Sequence, residues 1–179
     1  MPEIAPAYIP VIDSTPVFIK YTIFKGQHYC DKTSVKSFSG REMHFKVLFD
    51  SSAVYKTLDP INQADINKLY GFTEGIDNHI NSARIGWSWN KQALRLYAYI
   101  YANGIRSFKE IATVPIGTVA TCAISISDKQ YLFEVNDKKA SLNRALEGPP
   151  VAGYWQYPYF GGDEVAPGNT SIYIMDFKK

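Results

Sequence analysis

The sequence predicts an all-β fold, a two-sheet antiparallel sandwich in one domain. Three observations carry that prediction. Short runs rich in β-branched and aromatic residues recur between turn signals from Val17 onward, as in sandwiches and barrels. Aromatic residues reach 15% of the 179-residue chain, with 13 Tyr and 10 Phe, and such residues favour strands. Residues 94–102 alternate strictly: Leu94, Leu96, Ala98, Ile100 and Ala102 against Arg95, Tyr97, Tyr99 and Tyr101. Successive strand side chains point to opposite faces. One face of this strand is therefore built for a core, and the other carries rings spaced about 7 Å apart.

Taken in order, residues 1–16 hold Pro2, Pro6, Pro10 and Pro16 and read as an extended N-terminal arm ahead of a domain over 17–179. Residues 18–24 form the first strand, closed by Lys25-Gly26. Residues 43–49 form the next, with Phe45, Val47 and Phe49 on one face. Asp59-Pro60 opens the one helical segment, 59–69, with Asp59 as cap and Pro60 at its first position. A hairpin follows. With residues 90–93 as its turn, Trp89 opposes Leu94, Trp87 opposes Leu96 and Ile85 opposes Ala98, all on the apolar side. Ser88 then faces Arg95, Gly86 faces Tyr97 and Arg84 faces Tyr99. Two alternations agree in one register, which is what fixes register. Gly86 leaves open space over Tyr97, and residues 59–83 supply the loop that would cover this face.

Asn103-Gly104 is a tight-turn dipeptide. Simple pairing beyond it drives Lys109 inward, which predicts a bulge between Ile105 and Glu110. A second hairpin turns at Asp128-Lys129, pairing Ile126 with Tyr131, Ile124 with Phe133 and Cys122 with Val135. Late strands cover 151–160 and 169–177, the last with Ile172 and Ile174 inward.

The C-terminal run Tyr154-Trp155-Gln156-Tyr157-Pro158-Tyr159-Phe160-Gly161-Gly162-Asp163-Glu164-Val165-Ala166-Pro167 precedes the strand Ser171-Ile172-Tyr173-Ile174. It resembles the closing strands of concanavalin A-like lectin/glucanase jelly rolls. Residues 81–89 and the Tyr-rich strand ending in Asn103-Gly104 fit the same pattern, from about Phe45 to the C-terminus. Within that group the pattern is most like that of uncharacterised bacterial members. The resemblance implies two curved antiparallel sheets, one of which carries a carbohydrate site on its concave face.

The bulk numbers exclude several classes. A net charge of +2 with scattered basic residues argues against nucleic acid as a partner. No apolar run approaches the roughly 20 residues of a membrane span. Met1-Pro2-Glu3-Ile4-Ala5-Pro6 lacks the basic start and apolar stretch of a signal peptide, and the compartment stays open between cytoplasm and secretion after removal of a leader. Cys30 and Cys122 make no disulfide framework; Cys122 sits on an apolar strand face and reads as core.

For chemistry, no Asp or Glu lies two or four positions from another, so a glycosidase pair on one strand face is missing; Glu110 with Glu134 is the cross-strand alternative. Ser51, Ser52 and Ser82 have no nucleophile-elbow setting, and Gly161-Gly162 precedes a strand rather than a phosphate-binding helix. No cofactor motif appears. Asp163 and Glu164 are the calcium candidates, as hard oxygen ligands in a Gly/Pro turn. The candidate ligand face is Arg84, Ser88, Arg95, Tyr97, Tyr99 and Tyr101, with Gln156 and His79 at its margin. Flat amphipathic rings beside hydrogen-bond donors suit an oligo- or polysaccharide, bound without catalysis. Two alternatives stay open on the same face. One is a polysaccharide lyase using a Tyr or His for proton transfer and an Arg to neutralise a uronate. The other is a protein-interaction surface that pairs subunits. Trp87 and Trp89 point inward by register and read as core.

Overall fold

The computed structural model describes residues 17–178; the proline-rich arm predicted over 1–16 lies outside them. Twelve strands make up the fold: β1 (Ile19–Ile23), β2 (Ser37–Phe38), β3 (Glu42–Phe49), β4 (Asn67–Thr73), β5 (Ser82–Asn90), β6 (Ala93–Ala102), β7 (Ile105–Val114), β8 (Ala120–Ile126), β9 (Gln130–Val135), β10 (Lys138–Asn143), β11 (Gly153–Gln156) and β12 (Thr170–Asp176). They form two antiparallel six-stranded sheets, ordered β1-β12-β3-β8-β9-β10 and β2-β11-β4-β5-β6-β7. The all-β sandwich is the predicted one. Among the described residues no helix is long and apolar enough to cross a membrane.

Alternation decides which residues meet between the sheets. Phe45, Val47 and Phe49 of β3, Cys122 and Ile124 of β8, and Ile172 and Ile174 of β12 are buried from one side. Ile85 and Trp87 of β5 and Leu94, Leu96, Ala98 and Ile100 of β6 are buried from the other. Ring pairs cross the interior, with Phe49 5.3 Å from Trp87 and Phe45 5.1 Å from Tyr70, centroid to centroid. Such pairs add about 0.5–1.5 kcal/mol beyond the burial of their area.

Both hairpins have the predicted registers. Trp89 pairs with Leu94, Trp87 with Leu96, Ile85 with Ala98, and Arg84 with Tyr99. The turn places Lys91 and Gln92 at positive φ, matching the twist of the flanking strands. In the second hairpin Ile126 pairs with Tyr131, Ile124 with Phe133 and Cys122 with Val135.

Four expectations are corrected. The helix over 59–69 is a single 3-10 turn, Pro60–Ala64, capped by the Asp59 side chain. Asn67 onward is strand β4, because its backbone finds a ladder against β5. The segment 59–83 is therefore a sheet strand with flanking loops rather than a loop laid over the Tyr face. The bulge falls one residue later than expected: Leu96 pairs with Ala112 and Tyr97 with Glu110, leaving Ile111 extra. Lys109 does pair opposite Ala98, but β7 is an edge strand and the side chain is exposed. Finally, the space above Gly86 is filled, since a Cβ there would lie 2.5 Å from Ile66 Cγ2.

Candidate functional site

The outward side of the second sheet forms the floor of a groove of about 500 Å³. Its floor follows from strand register. Gln156 pairs with Gly71, Gly71 with Arg84, Arg84 with Tyr99, and Tyr99 with Phe108, so these five form one row across the sheet. A parallel row runs from Lys68 through Gly86 and Tyr97 to Glu110. Lys68 and Gly71 are three residues apart yet share this face, because the ladder slips between Lys68 and Tyr70 and the bulge inverts the alternation. The walls are Tyr29 and Ser34 on one loop, Ile76, Asn78 and His79 on another, and the segment Tyr154 to Tyr159.

Gly71 lets Arg84 lie flat. A Cβ on Gly71 would stand 2.7 Å from Arg84 Cγ, so the arginine stem crosses the strand where any other residue would block it. Its guanidinium carbon is 5.5 Å from the centroid of Tyr99. The Lys68 ammonium is 4.7 Å from the same ring and donates to the Ile66 carbonyl at 2.8 Å. Gly161 gives it room, because a Cβ there would meet Lys68 Nζ at 2.6 Å. That glycine belongs to the Tyr-Phe-Gly-Gly turn, which Asn67 holds by accepting the Gly161 N–H at 2.8 Å. Two cations therefore flank one phenol ring, an arrangement worth about 0.5–2 kcal/mol per contact depending on desolvation.

Electrostatically the floor is unusual. Arg84 is 5% exposed, its Nε has no hydrogen-bond partner, and no ion pair among the described residues includes it. Burial pulls its pKa down, with the phenols of Tyr99, Tyr101 and Tyr159 as the nearby opposing influence. Burial first, then the charges of Arg84 and Arg106, bring Lys68 down to about 8. Burial and the neighbouring Tyr101 phenol push Tyr99 up to about 12, so it is a neutral hydrogen-bonding ring at neutral pH. None of the residues lining the groove is Asp or Glu.

Of the predicted face, Arg84, Tyr99, Tyr101, Gln156 and His79 line the groove together. Tyr99 is only 2% exposed and forms floor rather than a projecting platform. Exposed His79 sets its ring edge-on to Tyr101 at 5.2 Å, and Asn78 donates to the Gln156 amide oxygen at 3.2 Å. Ser88, Tyr97 and Arg95 lie elsewhere. Tyr97 is buried, with its hydroxyl 3.1 Å from Ser88 Oγ and its ring edge-on to Phe108. Arg95 spends its guanidinium on Glu110 at 2.9 Å and on the Asn90 carbonyl. The expectation that three phenols project into water is thus corrected, because Ile66 and Phe108 cover one of them and neighbouring side chains bury another.

Glu110 and Glu134 stand on different sheets, and each carboxylate is already paired, Glu110 with Arg95 and Glu134 with Lys139. Glu164 accepts hydrogen bonds from the Leu58 and Asp59 backbone N–H groups and the Asn62 amide, which occupies its carboxylate. Among the described residues no three His, Cys, Asp or Glu side chains gather as a metal site.

Sequence reasoning missed Lys68, Tyr29 and Tyr159 as site residues, while the rings of Trp155 and Tyr157 pack on Phe38, Tyr70 and Tyr21. Lys68 was hidden by the helix expected over it. Tyr29 and Tyr159 stand outside the twelve strands, Tyr159 beside Pro158, where no alternation assigns a face; the density of rings in residues 154–159 was the available signal.

No family model matches the chain, and no curated protein matches it. Solved structures do. The alginate lyase AlyC3 superimposes with a TM-score of 0.57 at 10% identity, over 89% of this chain and 72% of that one. The laminarinase catalytic domain from Thermotoga maritima MSB8 gives 0.54 at 11% identity, over 94% and 82%. LamAcat from Zobellia galactanivorans gives 0.52 at 7%, over 90% and 77%. At such identities the likeness shows architecture, and the architecture is a jelly-roll sandwich of the concanavalin A-like type.

Proposed function

We propose that this protein binds a carbohydrate chain in the groove over Arg84 and Tyr99, as a non-catalytic module. The supporting observation is an open groove lined by Tyr29, Tyr101, Tyr154 and Tyr159, interleaved with the donors of Arg84, Gln156, Asn78 and His79. Rings offer apolar faces to the C–H side of a sugar, and amide and guanidinium groups answer its hydroxyls. Burying about 60 Å² of one ring face contributes on the order of 1.5 kcal/mol. Three or four rings then support modest affinity once association costs are met. The same fold serves proteins that act on alginate and on laminarin, which agrees with this reading. A glycan array read at high protein concentration tests it. Binding lost in Tyr159→Ala and kept in Trp89→Phe is expected; no glycan bound at any concentration would remove the proposal.

A second reading, β-elimination on a uronate, draws on Arg84 as carboxylate partner and on Lys68, which at about 8 is a group poised near neutrality for proton transfer. Tyr99, held near 12, stays protonated at neutral pH and is a proton or hydrogen-bond donor rather than a base. Incubation with alginate, pectate and hyaluronan separates the readings. A rise in ultraviolet absorbance from an unsaturated uronate would establish the lyase; a flat trace leaves the binding module.

A further inference from the structure

We propose that the sugar chain this groove takes is anionic, with a carboxylate or sulfate seated over Tyr99 between Arg84 and Lys68. The inference rests on the groove being a glycan site and narrows its ligand to a charge class. A buried guanidinium ordinarily has a carboxylate partner, because removing it from water unpaired is costly. Elsewhere the chain obeys that rule: Arg144 is wholly buried and meets Glu74 at 2.6 Å, and half-buried Arg95 meets Glu110. Arg84 meets no carboxylate among the described residues, and its Nε lies buried without a partner.

The missing negative charge is not supplied from nearby. A smaller hollow of about 100 Å³ continues past Lys68 and Tyr99, lined also by Asp65, Arg106, Phe108 and Gly162. Asp65 is the one carboxylate bordering either hollow, and its influence on Lys68 is weaker than that of Arg84 and Arg106. Two cations thus lie over Tyr99 and a third, Arg106, borders the same hollow over Phe108, with Asp65 the single acid beside them. Like charges held this close repel one another, and an anion between them offsets that repulsion. Arg presents a planar fork that fits carboxylate and sulfate oxygens alike. The two hollows share Lys68 and Tyr99, so they adjoin at the cations.

Affinity electrophoresis with two matched ligand pairs tests the assignment: polygalacturonate against its methyl ester, and dextran sulfate against dextran. At least one charged polymer is expected to bind ten-fold or more tighter than its neutral partner, and which pair responds identifies carboxylate or sulfate. Arg84→Gln and Lys68→Met should each abolish that preference. Lys138→Gln with Lys139→Gln, on the other sheet, should leave it intact. Because the ligand pairs are compared on the unaltered protein, the outcome does not depend on a variant folding. Equal binding within both pairs, or a preference lost equally in the Lys138/Lys139 variant, overturns the anionic assignment. If neutral glycans on the array are still bound, the carbohydrate reading survives that result; absence of all binding overturns both.

Discussion

Glu74→Gln should be among the most damaging conservative substitutions in this chain. The Glu74 and Arg144 side chains are both wholly shielded from solvent. The carboxylate accepts from Arg144 Nε at 2.7 Å and Nη2 at 2.6 Å, from the Tyr131 hydroxyl at 2.5 Å and from the Val151 N–H at 2.9 Å. Four donors thus converge on two oxygens. Glutamine keeps the shape but replaces one oxygen with an NH₂, which sets donor against donor and strands the arginine charge. Breaking one partner of a buried pair costs about 3–5 kcal/mol. For the roughly 160 described residues at about 2.1 cal/mol/K each, the unfolding entropy is about 0.34 kcal/mol/K. The melting temperature should therefore fall by about 9–15 °C, read by calorimetry or circular dichroism at neutral pH. Glu74→Met with Arg144→Met should recover much of the loss, since apolar replacement of a whole buried pair is often close to neutral. The pH dependence has a definite sign. Burial alone would raise the Glu74 carboxyl; the bonds from Arg144, Tyr131 and Val151 outweigh it and hold it below the ordinary value. Its contribution is then present above about pH 4.5, the unfolded value, and lost as pH falls through the lowered one. A shift under 2 °C in Glu74→Gln, or acid unfolding unchanged from the parent, would refute the argument. The pair also matters to the groove, because Glu74 roots the loop that carries Asn78 and His79.

Three further outcomes follow from the site and the core. Lys68 sits at about 8 against 10.5 when unfolded, so the folded state holds fewer protons between those values and stability should rise with pH across that window. Lys68→Met should raise the melting temperature and flatten the rise, as measured by thermal melts from pH 7 to 10.5; a lower melting temperature would assign the lysine a structural role. Gly71→Ala should destabilise by about 1–3 kcal/mol and weaken ligand binding, because the added Cβ collides with the Ala83 carbonyl oxygen and falls 2.6 Å from Arg84 Cα. Denaturant titration and affinity electrophoresis read the two effects, and a variant as stable as the parent would contradict the packing described for Arg84. Cys122 is fully buried and its thiol is pushed well above the ordinary range by that burial, so it should resist alkylation in the native protein and react once unfolded; mass spectrometry after iodoacetamide treatment checks this.

Part of the molecule is written in the local alternation of the chain. The faces of residues 82–102, the pairing of Trp87 with Leu96 and of Cys122 with Val135, and the sandwich that buries them all follow from period-two patterns with one consistent register. Arg84, Tyr99 and Tyr101 were legible for the same reason, since register carries a face assignment from strand to strand. Tertiary structure alone decided the rest. β4 was hidden because its bulge breaks the alternation, so neither Lys68 nor Gly71 announces its face. Tyr97 and Tyr99 share a face by period and are both buried yet differ in role, because Tyr97 packs on Ser88 and Phe108 while Tyr99 lies under Lys68 and Arg84 in the groove floor. The groove itself gathers Tyr29, Asn78 and Tyr159 from loops far apart in the chain, and no short-range pattern records which loops meet. Nor does any local signal say that a buried arginine lacks a carboxylate; pairing is a property of neighbours in space, and those the fold supplies.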